Sequence, residues 1–234
     1  MNKRLGKTRN FLLFTLLFLT PIYPSLSADK VKNQDYQAPS QITSTKQYGA
    51  AYNWYEKGNQ LYRQRRYLDS VAAYQKAIEI DPEFDLAVNG KAWALKNLDD
   101  LPKSLAAFEE AIDINRHSDK HWNGKGNVLY YMSRYRKSLK AYNRAIKLNP
   151  DSDNSYSGKA WALMRLDKYD KALEAFDQAI EINNRYANYW SGKGWVLYKL
   201  ERFQEAKRTL NRALALDPRD PHTQRYMRLV DKEL

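Results

Sequence analysis

Residues 119–152 read DKHWNGKGNVLYYMSRYRKSLKAYNRAIKLNPDS, and the same outline returns every 34 positions from residue 51 to residue 220. One column holds Ala77, Ala111, Ala145, Ala179 and Ala213, and another holds Leu61, Leu95, Leu129, Leu163 and Leu197. A third is Tyr74, Phe108, Tyr142, Phe176 and Leu210, and a fourth is small throughout: Ser70, Ser104, Ser138, Ala172 and Ala206. Pro82, Pro150 and Pro218 mark the end of alternate copies. A fixed period of this length means one supersecondary unit stacked on itself.

Within the quoted copy, Trp122, Gly126 and Leu129 fall at i, i+4 and i+7, one face of a helix. Tyr135, Leu139, Tyr142, Ile146 and Leu148 line the apolar face of a second helix. The few polar residues between them, Ser133 and Arg134, make the two helices antiparallel neighbours. Asp85, Asp119 and Asp153 stand where first helices begin and are expected as N-caps. Pro102 fits the first turn of a second helix, and the Asp-Pro or Asn-Pro pairs at 81–82, 149–150 and 217–218 end second helices. The chain is expected to be all-α.

The spacing of Trp54, Gly58, Leu61 and Tyr62, followed by Ser70, Tyr74, Ala77, Ile78 and Pro82, resembles the tetratricopeptide repeat. The resemblance covers five consecutive copies, about 70% of the chain. It implies a right-handed superhelical α-solenoid of repeats at 51–84, 85–118, 119–152, 153–186 and 187–220, with residues 221–234 as a capping helix. One departure is Lys57, Lys91, Lys125, Lys159 and Lys193, in a column where the family places Leu.

A longer period of 68 is superposed: copies two and four share Gly-Lys-Ala-Trp-Ala-Leu, and copies three and five share Trp-x-Gly-Lys-Gly-x-Val-Leu-Tyr. Seven of the nine glycines lie in first helices, where each costs about 1 kcal/mol against Ala. Gly58, Gly126 and Gly194 are expected where the two helices of one repeat touch. Gly90, Gly124, Gly158 and Gly192 have two readings, contact between neighbouring repeats or room for a ligand backbone.

The N-terminus is a different object. Lys3, Arg4, Lys7 and Arg9 precede the apolar run Phe11 to Thr20, and Ser25-Leu26-Ser27-Ala28 follows. A basic start, a short apolar stretch and small residues spell a signal peptide over residues 1–27, with cleavage after Ser27 or Ala28. The run is short for a membrane span of about 20 residues, so an uncleaved anchor is the alternative. Residues 28–50 are polar and are expected to be a flexible linker. The segment before the linker takes four of the +12 net charge and leaves +8, a weak bias toward acidic partners. The chain has no cysteine, which excludes disulfides and thiol chemistry.

No catalytic constellation emerges. The histidines are His117, His121 and His222, and no acid or third ligand is placed in sequence to make a metal site. The Gly-Lys pairs lie inside helices, where backbone N–H groups are already used. No enzyme activity, cofactor or metal is expected. The resemblance implies instead a concave groove lined by first helices, here through three columns. They are Tyr55, Asn89, Asn123, Ser157, Ser191; then Asn59, Trp93, Asn127, Trp161, Trp195; then Tyr62, Lys96, Tyr130, Met164, Tyr198. Asparagine can pair with a peptide backbone, and Tyr and Trp supply rigid apolar area with a polar handle. For Trp93 and Trp161 packing between repeats is the alternative, whereas Trp54, Trp122 and Trp190 are expected in the core. The family's chaperone-tail clamp needs Lys, Asn and Arg side chains in the first three copies; Gly90 and Gly124 occupy two of the neighbouring places, so that clamp is not expected.

These features point to an exported, periplasmic or extracellular scaffold or adaptor of the cell envelope that binds a protein or peptide segment. The alternatives are a membrane-tethered scaffold, and a polyanion binder using the basic C-terminal half around Arg208, Arg212 and Arg225.

Overall fold

The computed structural model describes residues 45–234; the expected signal peptide and the linker up to residue 44 lie outside the described residues. Eleven helices make up the described chain. The first helices of the repeats are α1 (Thr45–Arg63), α3 (Asp85–Asn97), α5 (Asp119–Tyr131), α7 (Asp153–Met164) and α9 (Ala187–Lys199). The second helices are α2 (Tyr67–Ile80), α4 (Leu101–Ile114), α6 (Tyr135–Leu148), α8 (Tyr169–Ile182) and α10 (Phe203–Leu216), and α11 (Pro221–Val230) closes the array. The fold is the expected all-α solenoid. Residues 45–50, expected in the linker, are instead the first turns of α1.

Each helix packs on its neighbours in sequence, and each first helix also touches the next first helix, through to α9 on α11. Among the described residues the backbones of the second helices stay apart from one another. First helices therefore form a continuous layer, with second helices lodged between them on one side.

The element that keys the layers together is the aromatic column. Tyr74 and Tyr142 are 2% and 3% exposed, and Phe108 and Phe176 are fully buried. A Cβ built on Gly58 would lie 2.6 Å from the Tyr74 ring, and one on Gly90 would lie 2.6 Å from the same ring nearer its hydroxyl end. Gly126 and Gly158 flank Tyr142 in the same way, while Gly124 and Gly192 press on Phe108 and Phe176 from the following repeat. Neighbour contact is thus the reading that holds for both glycine columns: each ring is wedged between its own first helix and the next one. At the end of the array the volumes are exchanged. Leu210 replaces the ring, and Tyr226 stands where the earlier first helices have Gly.

The 68-residue period has its cause here. Where the ring is Tyr, its hydroxyl needs a polar neighbour, and Asn59 accepts from Tyr74 Oη at 2.7 Å. Asn127 holds the corresponding place beside Tyr142. Where the ring is Phe, that place is Trp, and Trp93 and Trp161 meet Phe108 and Phe176 edge-on at 5.3 and 5.4 Å. The buried serines add a bond inside the hairpin: Ser70, Ser104 and Ser138 donate to the carbonyls of Gly58, Ala92 and Gly126 at 2.7–2.9 Å.

The hairpin turns repeat as faithfully. Arg65, Asp99, Ser133, Asp167 and Glu201 are left-handed, with φ of 56–63°. The next N–H reaches back to the leucine column, as from Arg66 to the Leu61 carbonyl at 3.0 Å and Arg134 to Leu129 at 2.8 Å.

Two expectations are corrected. Asp85, Asp119 and Asp153 are the first helical residues and not the caps, which are Phe84, Ser118 and Ser152. Their carboxylates instead accept from Asn115, Asn149 and Asn183 at the far end of the same hairpin, at 2.8–3.0 Å. In repeats one and five the pair reads Ala51 with Asp81 and Ala187 with Asp217, so the fold never sets two carboxylates together at this place. The second correction concerns Trp54, Trp122 and Trp190, which are half-buried and not core. Trp122 and Trp190 donate their indole N–H to turn carbonyls of Arg116 and Asn184, and Lys57 and Lys76 lie over Trp54. The lysine column next to them lies between repeats: Lys91 bonds Gln75, and Lys125 and Lys193 pair with Glu109 and Asp177.

The wedge sets the sign of a simple test. Gly to Ala inside a helix normally stabilises by up to about 1 kcal/mol. Gly124→Ala should instead destabilise by about 1–3 kcal/mol, because its methyl meets Phe108, and adding Phe108→Leu should recover part of that loss. Urea unfolding of the single and double variants measures both; a more stable Gly124→Ala chain would mean that the ring is free to move.

Candidate binding face

The three columns expected to line a groove do lie along the first-helix layer, but they differ in how much of each side chain is free. The first column lies at the seams between successive first helices. Asn89 donates to His121 Nδ1 at 2.8 Å, Asn123 donates to Ser155 Oγ at 2.9 Å, and Thr223 donates to Ser191 Oγ at 2.7 Å. Tyr55 packs its ring 5.1 Å from Phe84, and Ser157 is buried. This column stitches repeat to repeat.

His121 is fully buried and bonds Asp85 through Nε2 at 3.0 Å as well as Asn89. Asn89 donates to Nδ1 while Nε2 faces the Asp85 carboxylate, and Asn115 holds the same Asp85 oxygen. The sequence shows no acidic partner for His121; the fold supplies one from the preceding repeat, 36 residues back. Among the described residues no three potential metal ligands gather.

The second column is half-buried throughout. Trp93, Trp161 and Trp195 remain half-exposed after their edges are used, and Asn59 and Asn127 alternate with them. Trp93 and Trp161 each set an edge against the second helix of their own repeat. The Asn127 side-chain oxygen is buried without a hydrogen-bond partner. At the C-terminal end Trp195 stacks on Tyr198 at 5.1 Å and on Tyr226 at 4.5 Å, and Lys199 lies over the indole. The sequence names Trp195 and Tyr198 but places Tyr226 only in the cap; the signal that could have found it is the 34-residue step from Gly192.

The third column mixes rings with one buried cation. Asn97 donates to Tyr62 Oη at 2.7 Å, and Tyr130 meets Tyr131 and Tyr135 edge-on. Burial pushes the Tyr62 and Tyr130 hydroxyls up to about 12. Met164 and Tyr198 are half-exposed. Lys96 is only 7% exposed, with its Nζ 4.1 Å from the centre of the Tyr131 ring. Burial pulls its ammonium down to about 8, against the pull of Asp99. Lys96 is therefore a packed member of the face and not a free cation.

A five-unit array of helical hairpins, capped by a lone eleventh helix and carrying a band of half-exposed Trp and Tyr on its first-helix side, is a repeat scaffold. The chain belongs to the tetratricopeptide repeat proteins: family models described as "Tetratricopeptide repeat" match residues 51–84, 123–188 and 167–228, more than half of the chain in all. Solved structures share the fold at low identity. The PilF protein of Pseudomonas aeruginosa matches with a TM-score of 0.73 at 16% identity, over 80% of this chain and 85% of that one. A thermophilic tetratricopeptide protein of Thermus thermophilus, TTC0263, matches at 0.67 and 17%, over 78% and 100%. YrrB, described as a tetratricopeptide protein with an unusual peptide-binding site, matches at 0.60 and 20%, over 81% and 94%. No curated protein sequence matches the chain.

The buried lysine predicts a pH dependence. Its folded value of about 8 lies below the ordinary 10.5, so the folded chain releases this proton first as pH rises. Stability should therefore increase between about pH 8 and pH 10, and the full cost of the buried charge, roughly 1–3 kcal/mol, applies below pH 8. Above pH 10 the raised tyrosines reverse the slope, because the folded chain then holds protons that the unfolded chain loses. Urea unfolding at pH 7.5, 8.5 and 9, below the range in which the unfolded chain's tyrosines ionise, should show the rise in the parent chain and a flat profile in Lys96→Met.

Proposed function

We propose that this protein is a non-enzymatic interaction scaffold of the cell envelope whose first-helix face holds an extended or helical segment of a partner protein. The observation that carries this reading is the row Trp93, Trp161 and Trp195 with Tyr62, Tyr130 and Tyr198, large half-buried rings gathered on the first-helix side, while the column Tyr74, Phe108, Tyr142 and Phe176 of the second helices is buried. Such rings are the residues that dominate protein interfaces, because they add contact area with little rotamer entropy to lose. The described peptide-binding site of YrrB, on the same fold, supports a peptide as the ligand class.

An array of overlapping peptides from exported proteins, probed with the chain, tests this. Trp93→Ala and Trp161→Ala should each weaken binding of captured peptides by about 1–4 kcal/mol, the range of central anchors. Trp122→Ala, on a half-buried indole outside the three columns, should leave binding unchanged. Equal loss from all three variants, or from none, would remove the groove from consideration.

Export is part of the same proposal and rests on the basic start and apolar run of residues 1–27. Among the described residues no helix is long and apolar enough to cross a membrane. Replacing Leu12, Leu13, Leu16 and Leu17 with Gln should hold the chain in the cytoplasm at precursor size. Fractionation followed by mass spectrometry reads the outcome, and a mature-sized chain in the envelope fraction would refute the signal.

A further inference from the structure

The second-helix side carries a charge pattern that the groove does not use. α6 bears Arg136, Lys137, Lys140, Arg144 and Lys147 and no acid. Among the described residues none of these five forms an ion pair. α8, one repeat later, bears Asp170, Glu174, Asp177 and Glu181 against a single Lys171. The two stripes are charge-reversed copies of each other: Arg136 and Asp170, Lys140 and Glu174, and Lys147 and Glu181 occupy the same places in successive repeats. All six of these side chains are exposed. Within one chain the α6 and α8 backbones stay apart, and among the described residues no ion pair joins the two stripes across the cleft. Between them opens a cleft of about 340 Å³ over α7, floored by Leu139, Tyr156, Leu163 and Ala175.

We propose that these stripes are the two halves of an interface with a second copy of this chain. A two-fold axis running along the cleft, parallel to the helices, lays α6 of one copy parallel on α8 of the other, and α8 on α6. Both stripes span twelve residues, roughly 16 Å of helix, so the parallel arrangement pairs them along their whole length. It sets Arg136 against Asp170, Lys140 against Glu174 and Lys147 against Glu181. Such a self-complementary patch is what a two-fold dimer requires. α4 does not serve as the partner, because it has Pro102 and Ala106 where α8 has Asp170 and Glu174. Exposed pairs are individually weak and screened by salt, so the dimer forms at low ionic strength and at high protein concentration.

The experiment uses charge-reversed full chains in sedimentation equilibrium at low and at moderate salt. One variant carries Arg136→Glu, Lys140→Glu and Lys147→Glu; the other carries Asp170→Lys, Glu174→Lys and Glu181→Lys. The parent chain should be a dimer at low salt and dissociate as salt rises, and each variant alone should be a monomer with unchanged helicity. An equimolar mixture of the two variants should form a heterodimer, because every facing pair is again opposite in sign, and a chain carrying both sets should recover the homodimer. A parent chain that is monomeric at low salt, a dimer that ignores either reversal, or variants that remain monomers when mixed would overturn the proposal. So would a monomeric parent chain held on heparin through the α6 cations, which would assign that stripe to polyanions.

Discussion

Everything else in this structure depends on a ring fitting into a slot walled by glycine or alanine. The ring of each second helix reaches the backbone of its own first helix and that of the next, and the glycine or alanine at each place lets the helices approach. Burying an aromatic side chain is among the larger single contributions available to a core. Here one ring serves two interfaces at once. That is why the glycines, unfavourable in helices taken alone, are tolerated at seven places. The exchange of Leu210 with Tyr226 at the end shows the same volume moved from one side of the slot to the other.

Around that slot the residues travel in sets. Tyr comes with Asn on the first helix because a buried hydroxyl needs a partner, and Phe comes with Trp because an apolar edge does not. The half-exposed tryptophans of the first-helix face are thus fixed twice, once by the ring beneath them and once by the solvent they face. A scaffold built this way has little freedom to change its binding face without changing its core.

The fold was legible because it is periodic. Five copies of Leu61, Ala77 and Tyr74 equivalents fix the helices and the hairpins, and the Asp-Pro and Asn-Pro pairs fix the ends. Contacts between repeats were less legible. Nothing local marks Asp85 as the partner of His121 or Lys96 as a buried cation, because those partners are chosen by stacking. Asp85, Asp119 and Asp153 looked like caps since a carboxylate at a helix start has two uses, and only the partner on the other helix decides between them. The coupled change to Ala51 with Asp81 and Ala187 with Asp217 was the signal that could have decided it. Trp54, Trp122 and Trp190 misled for a related reason: a large ring in a recurring column can shield a turn carbonyl and carry a cation without entering the core. The three groove columns lie on the first helices, but their polarity alone did not show that Asn89 and Asn123 were already spoken for.

The separation of the second-helix backbones, among the described residues, has a mechanical meaning. Hydrogen bonds and ring contacts run through the first-helix layer, from Asn89 on His121 to Thr223 on Ser191, so that layer resists stretching. On the opposite side the backbones of neighbouring helices stay apart, joined through the first helices between them. The array therefore bends most easily about its first-helix layer, with the second helices fanning apart or closing while the binding face keeps its spacing. A load applied along the chain would be borne by the polar seam, and the helices behind it would act as the struts of a hinge.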